Sequence, residues 1–205
     1  MSDLSFRYAR QADTPALVAL IELAYRSEDT AGAWNSEAHL LKGPRTNNEE
    51  ISTLIAREDS RFIIAETDGR LVGCCLVQGL NRDPARNWSS ADAPHIEATS
   101  TPSTPCTPPV TDTNAAYFGM FAIDPRIHGG GLGKRVIAEA EQRVKELWDC
   151  NQMVMTVINL RTELIDWYKR RGYRLTGATL PFPFSENTGE TTRDFHLVEM
   201  RKDLA

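Results

Sequence analysis

The stretch Ile127-His128-Gly129-Gly130-Gly131-Leu132-Gly133-Lys134 decides how this sequence is interpreted. A strongly apolar segment, residues 115–123, precedes it and is typical of a buried strand. Apolar residues at helical spacing run from Leu132 to Leu147, so the stretch lies where a strand passes into an amphipathic helix. A helix N-terminus presents unpaired N–H groups with a partial positive charge, and glycines let a bulky anion approach the backbone. The stretch therefore predicts a phosphate-binding loop.

Two well-known phosphate-binding loops do not fit these residues. A Walker A loop, Gly-x-x-x-x-Gly-Lys-Ser/Thr, would place His128 at its first glycine and Arg135 at its magnesium-binding position. A dinucleotide-binding loop, Gly-x-Gly-x-x-Gly, would begin at Gly131 and place Val136 at its third glycine. The pyrophosphate of coenzyme A remains as the candidate ligand. Taken alone, the loop is equally well explained as a turn with a helix cap.

A second segment supports the interpretation of the glycine loop. It reads Asn159-Leu160-Arg161-Thr162-Glu163-Leu164-Ile165-Asp166-Trp167-Tyr168-Lys169-Arg170-Arg171-Gly172-Tyr173. Together the two segments resemble the GNAT superfamily of N-acetyltransferases. The superfamily signature Gln/Arg-x-x-Gly-x-Gly/Ala matches His128-Gly129-Gly130-Gly131-Leu132-Gly133, with His in place of Gln or Arg. Asn159, Tyr168 and Gly172-Tyr173 match the later motif. The resemblance covers residues 115–176 well, whereas residues 6–80 agree in the order of elements only.

The resemblance implies a fold and a reaction. The fold would be α/β (α+β), with a mixed, mostly antiparallel β-sheet flanked by helices and a long insertion between the third and fourth strands. The reaction would be direct transfer of an acetyl group from acetyl-CoA to a primary amine of a small molecule or peptide. A protein lysine or N-terminus is the alternative acceptor. A noncatalytic acyl-CoA-binding module and a nucleotide-binding protein are alternatives of a different class.

The resemblance also implies which residues hold the cosubstrate. A bulge in the fourth strand, over Met120–Ile123, would offer the N–H of Phe121 or Ala122 to the acetyl carbonyl. Tyr168 would protonate the departing thiolate, although it is also explained as a core tyrosine. Asn159 would contact the pantetheine arm, cap a helix, or do both. The predicted cosubstrate-binding residues are Phe121, Ala122, Ile123, His128, Gly129, Gly130, Gly131, Leu132, Gly133, Lys134, Asn159 and Tyr168.

The general base is the least defined part of the predicted site. An amine resembling lysine has a pKa of about 10.4, so it must lose a proton before it attacks near pH 7. Neither residues 115–123 nor residues 153–158 contain an acidic residue. The candidates elsewhere are Glu28, Glu66, His196 and Glu199. His196 joins Tyr168 in the predicted catalytic pair, while a structural role for His196 and a chain of waters remain open.

Composition limits the partners. The chain has 205 residues and a net charge of -5, which argues against nucleic acid as the main partner. No segment approaches the roughly 20 apolar residues of a membrane span, and no leader is recognisable, so a cytoplasmic location is predicted. The four cysteines are predicted to be buried free thiols, and no metal site is expected. A homodimer is left open. The cysteines are Cys74, Cys75, Cys106 and Cys150.

The chain is interpreted as a single domain, residues 1–205, with a Thr/Pro-rich insertion over residues 81–114. The predicted order of elements is β-α-α-β-β-β-α-β-α-β-β, with a tight Asp68-Gly69 turn between the second and third strands. Residues 180–192 are predicted to form a loop whose aromatic start, residues 180–184, walls a substrate pocket or packs over the sheet edge. Basic residues are concentrated near both motifs, which suits an anionic cosubstrate.

Overall fold

The computed structural model describes residues 4–26, 37–41, 43–81, 114–127, 130–182 and 195–204. Within these ranges the order of strands and helices is the predicted one, with a short 3₁₀ turn, Gln11–Asp13, added before the first helix. The elements are β1 Leu4–Tyr8, α1 Thr14–Arg26, α2 Asn48–Ala56, β2 Ser60–Thr67, β3 Arg70–Asn81, β4 Asn114–Ile123, α3 Leu132–Trp148, β5 Gln152–Ile158, α4 Thr162–Lys169, β6 Arg174–Pro181 and β7 His196–Asp203. The predicted insertion, residues 81–114, falls between β3 and β4: Asn81 and Asn114 belong to these strands, and residues 82–113 lie outside the described residues.

The strands form one sheet in the order β1-β2-β3-β4-β5-β7-β6. The β4–β5 pair is parallel, and the other neighbouring strands are antiparallel. The predicted mixed, mostly antiparallel sheet is therefore confirmed. Asp68 (φ 51°) and Gly69 (φ 72°) join β2 to β3 as the predicted two-residue turn, because the twist of a hairpin favours positive φ at both central positions.

Helices cover both faces of the sheet. On one face α3 and α4 pack on the strands through residues such as Val136, Ala140 and Tyr168. On the other face α1 and α2 bury Leu17, Ile21 and Ile51, among others, against β2, β3 and β4. The side of α3 that faces the sheet is apolar at steps of three and four residues, so burial of that side stabilises the helix. We call the two sides of the sheet the α3/α4 face and the α1/α2 face.

β4 divides the sheet into two parts. It pairs with β3 from Asn114 to Ile123, whereas its pairing with β5 covers only Ala115–Tyr117. Beyond Tyr117 the described residues of β4 and β5 are not paired with each other, and we call this opening the β4–β5 cleft. A bulge lies beside it, since Cys74 is opposite Ala122 but Leu76 is opposite Gly119. The cleft and the bulge set the geometry of the candidate site.

Two local predictions are wrong. Asn159 does not cap a helix, because β5 and β7 remain hydrogen-bonded as far as this residue and α4 begins only at Thr162, with Arg161 at the N-cap position. Leu180 and Pro181 do not belong to a loop. They extend β6, where they pair with Leu197 and His196 of β7. In both places, strand pairing continues further than the local residue types indicate.

No helix in the described ranges is long and apolar enough to cross a membrane. No group of three or more His, Cys, Asp and Glu side chains in the same ranges is placed to hold a metal ion.

Candidate active site

The turn into α3 has the backbone that the glycine loop predicts. Gly130 (φ 67°) and Gly131 (φ 63°) both adopt the left-handed conformation, which costs glycine little. Gly131 is the N-cap residue and provides no capping side chain, and a Cβ added at either glycine would meet nothing within 4 Å. The first turn carries Lys134 and Arg135, both exposed, and no acidic residue. The N–H groups and basic side chains of this turn suit the binding of a phosphate. The other two predicted loop residues, His128 and Gly129, lie outside the described residues.

A buried aspartate connects β4 to this turn. The Asp124 carboxylate accepts hydrogen bonds from the Arg126 N–H at 3.0 Å, from Nε at 2.8 Å and from Nη2 at 2.7 Å. The Asp124 N–H donates to the Val72 carbonyl at 2.9 Å. The Arg126 guanidinium holds the pKa of Asp124 below its ordinary value, despite the opposing effect of burial. The segment that leads into the glycine loop is thus tied to both β3 and β4.

The bulge in β4 is held from both faces of the sheet. Met120 has a φ of 43°, a strained value for a residue with a side chain, and its side chain packs on the α1/α2 face. Phe121 then points to the α3/α4 face, where its ring lies 5.8 Å from that of Trp167. The Phe121 carbonyl accepts a hydrogen bond from the Tyr25 hydroxyl at 3.1 Å. The main chain at the bulge is therefore positioned by α1 as well as by α4.

Tyr168 lies in the α3/α4 core, and its ring packs edge-on against Trp167 and Tyr173. Among the described residues, no group hydrogen-bonds to its hydroxyl. Burial raises the pKa of Tyr168 well above 10, and the nearby Tyr25 phenol raises this pKa further, while Arg161 has the opposite effect. The phenol is therefore protonated near neutral pH. It can donate a proton and cannot serve as a base.

Asn159 and His196 meet where β5 ends and β7 begins. The Asn159 side-chain oxygen accepts the His196 N–H at 3.0 Å, and the Asn159 N–H donates to the His196 carbonyl at 2.9 Å. The His196 side chain is exposed, and its alternation with Val198 and Met200 places it on the α3/α4 face. The structure thus joins Asn159 to the backbone of His196, and it gives the imidazole no contact with Tyr168 within the described ranges.

The α1/α2 face beside the cleft carries polar groups, two of which, Tyr117 and Thr156, sequence reasoning did not single out. The Tyr117 hydroxyl lies 3.4 Å from the Thr156 Oγ1, at the point where β4 and β5 separate. Glu199 lies directly opposite Thr156 in the β5–β7 ladder and is 1% exposed. Glu199 was one of four candidate bases, and neither its burial nor its neighbours could be read from the sequence. Of the others, Glu66 is paired with Arg7 at 2.7 Å, and Glu28 lies outside the described residues.

Residues 37–41 cover the end of β5. The Glu37 carboxylate pairs with Arg26 at 2.9 Å and lies 3.8 Å from the Arg161 guanidinium at the start of α4. Leu40 and Leu41 pack with Ile158, Phe195 and other apolar residues. Phe182 joins this cluster, with its ring 4.6 Å from that of Phe195. This part of the predicted aromatic wall therefore packs against the end of β7, while residues 183 and 184 lie outside the described ranges.

Most of the basic residues near the two motifs already have partners. The ion pairs are Arg126–Asp124, Lys169–Asp166, Arg174–Asp203 and Arg161–Glu37. The Arg171 guanidinium stacks 3.2 Å from the centroid of the Trp167 ring. Lys134 and Arg135, at the start of α3, are the basic residues best placed for an anion.

Solved structures with a similar fold include proteins that carry acetyltransferase names. The ribosomal-protein-alanine N-acetyltransferase from Brucella melitensis superposes with a TM-score of 0.62 at 17% identity, over 98% of this chain and 99% of that one. The structure of yncA from Salmonella typhimurium with its cofactor acetyl-CoA superposes with a TM-score of 0.59 at 14% identity, over 100% of this chain and 95% of that one. At these identities the similarity concerns the fold, and the fold is that of the acetyltransferase class.

The sequence comparison identifies the family. Residues 24–173 match the Acetyltransferase (GNAT) family, and the chain belongs to that family. It is also 30% identical over 61 residues to the spermine/spermidine N(1)-acetyltransferase of Bacillus subtilis (strain 168). That match spans 30% of this chain and 40% of the length of the relative.

Proposed function

We propose that the protein transfers an acetyl group from acetyl-CoA directly to a primary amine of a small molecule or peptide. The main observation is the separation of β4 from β5 beyond Tyr117, with a bulge on one side and the Tyr168 phenol buried in the adjoining core. This arrangement provides a cleft with a hydrogen-bond donor and an acid close together. Family membership supports the same activity.

The residues present fit the two ends of acetyl-CoA. The open N–H groups in the first turn of α3, with Lys134 and Arg135, would hold its pyrophosphate. The two predicted donors to the acetyl carbonyl, the N–H groups of Phe121 and Ala122, both lie at the β4 bulge. The side-chain nitrogen of Asn159 would contact the pantetheine arm, because its oxygen already accepts from His196.

The bonds and protons of the reaction are accounted for with Tyr168 as the one acid. Acetyl-CoA supplies an activated thioester, whose carbonyl carbon forms a C–N bond with the neutral amine as its C–S bond breaks. Tyr168 gives its proton to the departing sulfur, and the phenolate regains a proton from the nitrogen that has become the amide. One proton, lost from the acceptor ammonium before attack, goes to a base and then to solvent. Tyr168 carries the proton needed for this step because burial raises its pKa.

The acceptor would approach from the α1/α2 face, where Tyr117 and Thr156 border the cleft. This placement disfavours His196 as the base, since its exposed side chain lies on the other face. The polyamine-acetylating relative points to a small cationic amine, and a protein amine is the alternative acceptor. A cytoplasmic location and a homodimer remain predictions.

A panel of amines tests the proposal. Purified protein should release CoA thiol from acetyl-CoA with at least one of spermidine, a monoamine, lysine and an N-terminal peptide, and the product should gain one acetyl group by mass spectrometry. A noncatalytic module would bind acetyl-CoA without turnover. Tight binding of ATP without binding of acetyl-CoA would overturn the proposal.

A further inference from the structure

Glu199 is buried beside the cleft on the α1/α2 face. Its register partner Thr156 lies two residues beyond Val154, the last position on β5 that pairs with β4. Val157 and Val198, on the neighbouring positions of the two strands, pack on the α3/α4 face, so Thr156 and Glu199 point to the opposite face. Glu199 is therefore close to the level of the β4 bulge and faces the side from which the acceptor would approach.

The Glu199 carboxylate is incompletely paired. Its Oε1 lies 3.4 Å from Arg201 Nη2, and its buried Oε2 has no hydrogen-bond partner among the described residues. Arg201 is not well placed for Glu199, because its Nη1 donates to Gln152 at 3.0 Å and its Nε is buried without a partner in the same ranges. A buried carboxylate oxygen without a partner is costly, so a cation that reaches Oε2 would be bound strongly.

Two hydroxyls lie between this carboxylate and the cleft. Thr156 stands beside Glu199, and its Oγ1 is 3.4 Å from the hydroxyl of Tyr117, the last residue of β4 that pairs with β5. Both groups can accept from an ammonium and donate to a carboxylate. They give the route from the cleft to Glu199 a polar lining, whereas the neighbouring Ile158 and Leu41 are apolar.

We propose that Glu199 binds the ammonium group of the acceptor amine and accepts its proton. This inference rests on the proposed acetyltransferase activity. The ammonium loses one proton to Oε2, and the neutral amine then attacks the thioester. Glu199 returns its proton to solvent before the next turnover. Among the described residues, the charged group that contacts Glu199 is Arg201 on its own strand, and the Tyr117 phenol on β4 lies beside Thr156; Arg174 on β6 pairs with Asp203 instead. The acceptor is thus an amine that is cationic in solution.

The Glu199→Gln variant tests this role by comparison of two amines. With an alkylamine of pKa about 10, we expect kcat/KM at pH 7 to fall by about 100-fold, and to rise about tenfold per pH unit up to pH 9 as free amine becomes available. With an amine whose pKa is below 7, such as an arylamine or hydrazide, the fall should be less than about threefold. The KM for acetyl-CoA should not change.

Two further variants keep the test decisive. Glu139→Gln makes the same chemical change at a carboxylate paired with Arg143 on α3, and it should leave the acetylation of both amines unaffected. Thr156→Val removes a hydroxyl beside Glu199 and should lower alkylamine turnover by about tenfold, even if Glu199→Gln fails to fold. Equal losses with both amines would overturn the role of Glu199 and leave the proposed function standing. A wild-type protein that acetylates no amine would overturn both.

Discussion

The Tyr25 hydroxyl donates a hydrogen bond to the Phe121 carbonyl at 3.1 Å, and this contact joins residues 96 positions apart in the chain. The last turn of α1 thereby holds the main chain of the β4 bulge. The Phe121 ring is fixed separately, between Phe118 and Trp167. The orientation of the Phe121–Ala122 peptide, whose N–H is one of the two predicted donors to the acetyl carbonyl, thus depends on a helix that carries none of the predicted catalytic residues.

Removal of this hydroxyl should affect the reaction more than the binding of acetyl-CoA. In Tyr25→Phe we expect kcat to fall by about fivefold, because a loss of about 1 kcal/mol of positioning energy at the bulge is a factor of about five in rate. The KM for acetyl-CoA should change by less than about twofold. Steady-state kinetics will show this, and an unchanged kcat would mean that the bulge needs no support from α1.

The Tyr168 hydroxyl should matter for turnover and not for stability. Tyr168→Phe is expected to lower kcat by about 10² to 10⁴. Because no described residue hydrogen-bonds to this hydroxyl, the free energy of unfolding should change by less than about 0.5 kcal/mol. Chemical denaturation and turnover measured on the same preparation make the comparison.

Tyr173→Phe is the matched control for Tyr168→Phe. The Tyr173 hydroxyl donates to Glu141 at 2.9 Å and lies 3.1 Å from the Met153 sulfur. Its loss should reduce the free energy of unfolding by about 1 kcal/mol and leave kcat unchanged. If Tyr173→Phe lowers kcat as much as Tyr168→Phe does, the assignment of Tyr168 as the acid is wrong.

The backbone at the start of α3 can be tested with two alanine substitutions. Gly131→Ala places a Cβ on a residue with a φ of 63°, which should cost about 1 kcal/mol in stability and raise the Kd for acetyl-CoA by about tenfold. Gly69→Ala makes the same change at a φ of 72° in the β2–β3 turn, where a Cβ likewise meets nothing within 4 Å. Calorimetry should show a similar loss of stability in both variants and weaker binding in Gly131→Ala alone.

Asp124 should contribute stability with a defined pH dependence. Its folded pKa is lowered, chiefly by Arg126, so its stabilising effect is complete above the ordinary carboxyl pKa of 3.8 and is lost as the pH falls through the folded pKa. Asp124→Asn should therefore be less stable than the wild type at pH 6, and the difference should narrow below pH 4. Urea denaturation at a series of pH values measures this.

Asp124→Asn should also raise the KM for acetyl-CoA, because Asp124 fixes the entry to the glycine loop. Asp203→Asn is the control. The Asp203 carboxylate pairs with Arg174 on the exposed surface, and neither residue belongs to the segment that leads into the glycine loop. That variant should leave the KM for acetyl-CoA unchanged.

The pH series also has an outcome that contradicts the stabilising role of ionised Asp124. That outcome is a stability difference between the wild type and Asp124→Asn that grows as the pH falls.

The described cysteines should be inert in the native protein. Burial raises the pKa of the Cys74 thiol to about 12 and that of Cys150 to about 11, and it raises the pKa of Cys75 as well. In a Cys106→Ser background, a thiol reagent at pH 8 should modify these three residues only after denaturant is added. Rapid modification of the native protein would show that the core opens more readily than its packing indicates, on the α1/α2 face for Cys74 and on the α3/α4 face for Cys75 and Cys150.

The order of elements was predictable because each element has a local signal. Alternation marks the strands, the spacing of apolar residues marks α3, and the Asp68-Gly69 pair marks a turn whose φ values suit those residues. The turn into α3 was predictable for the same reason, since Gly130 and Gly131 occupy left-handed positions. In these segments, local preference and tertiary structure agree.

The rest of the site depends on contacts between distant segments. Asn159 follows a strand and precedes a helix, which suggests a cap, but its side chain binds the backbone of His196 instead. Met120 carries no local preference for a positive φ, and the register of β3 against β4 imposes it. The burial of Glu199 follows from its position opposite Thr156, which only the pairing of β5 with β7 defines.

The short β4–β5 ladder has a mechanical consequence. Three register pairs, between Ala115–Tyr117 and Gln152–Val154, join the two parts of the sheet in the described structure. The two parts of the sheet can change their relative angle slightly by rotating about this ladder. Such a rotation breaks no hydrogen bond between β4 and β5 beyond Tyr117, because none is present there. The width of the cleft is then governed by side chains that bridge its open end, such as Phe121 against Trp167. A change in the width of the cleft therefore requires these rings to repack, while the hydrogen bonds of the sheet stay in place.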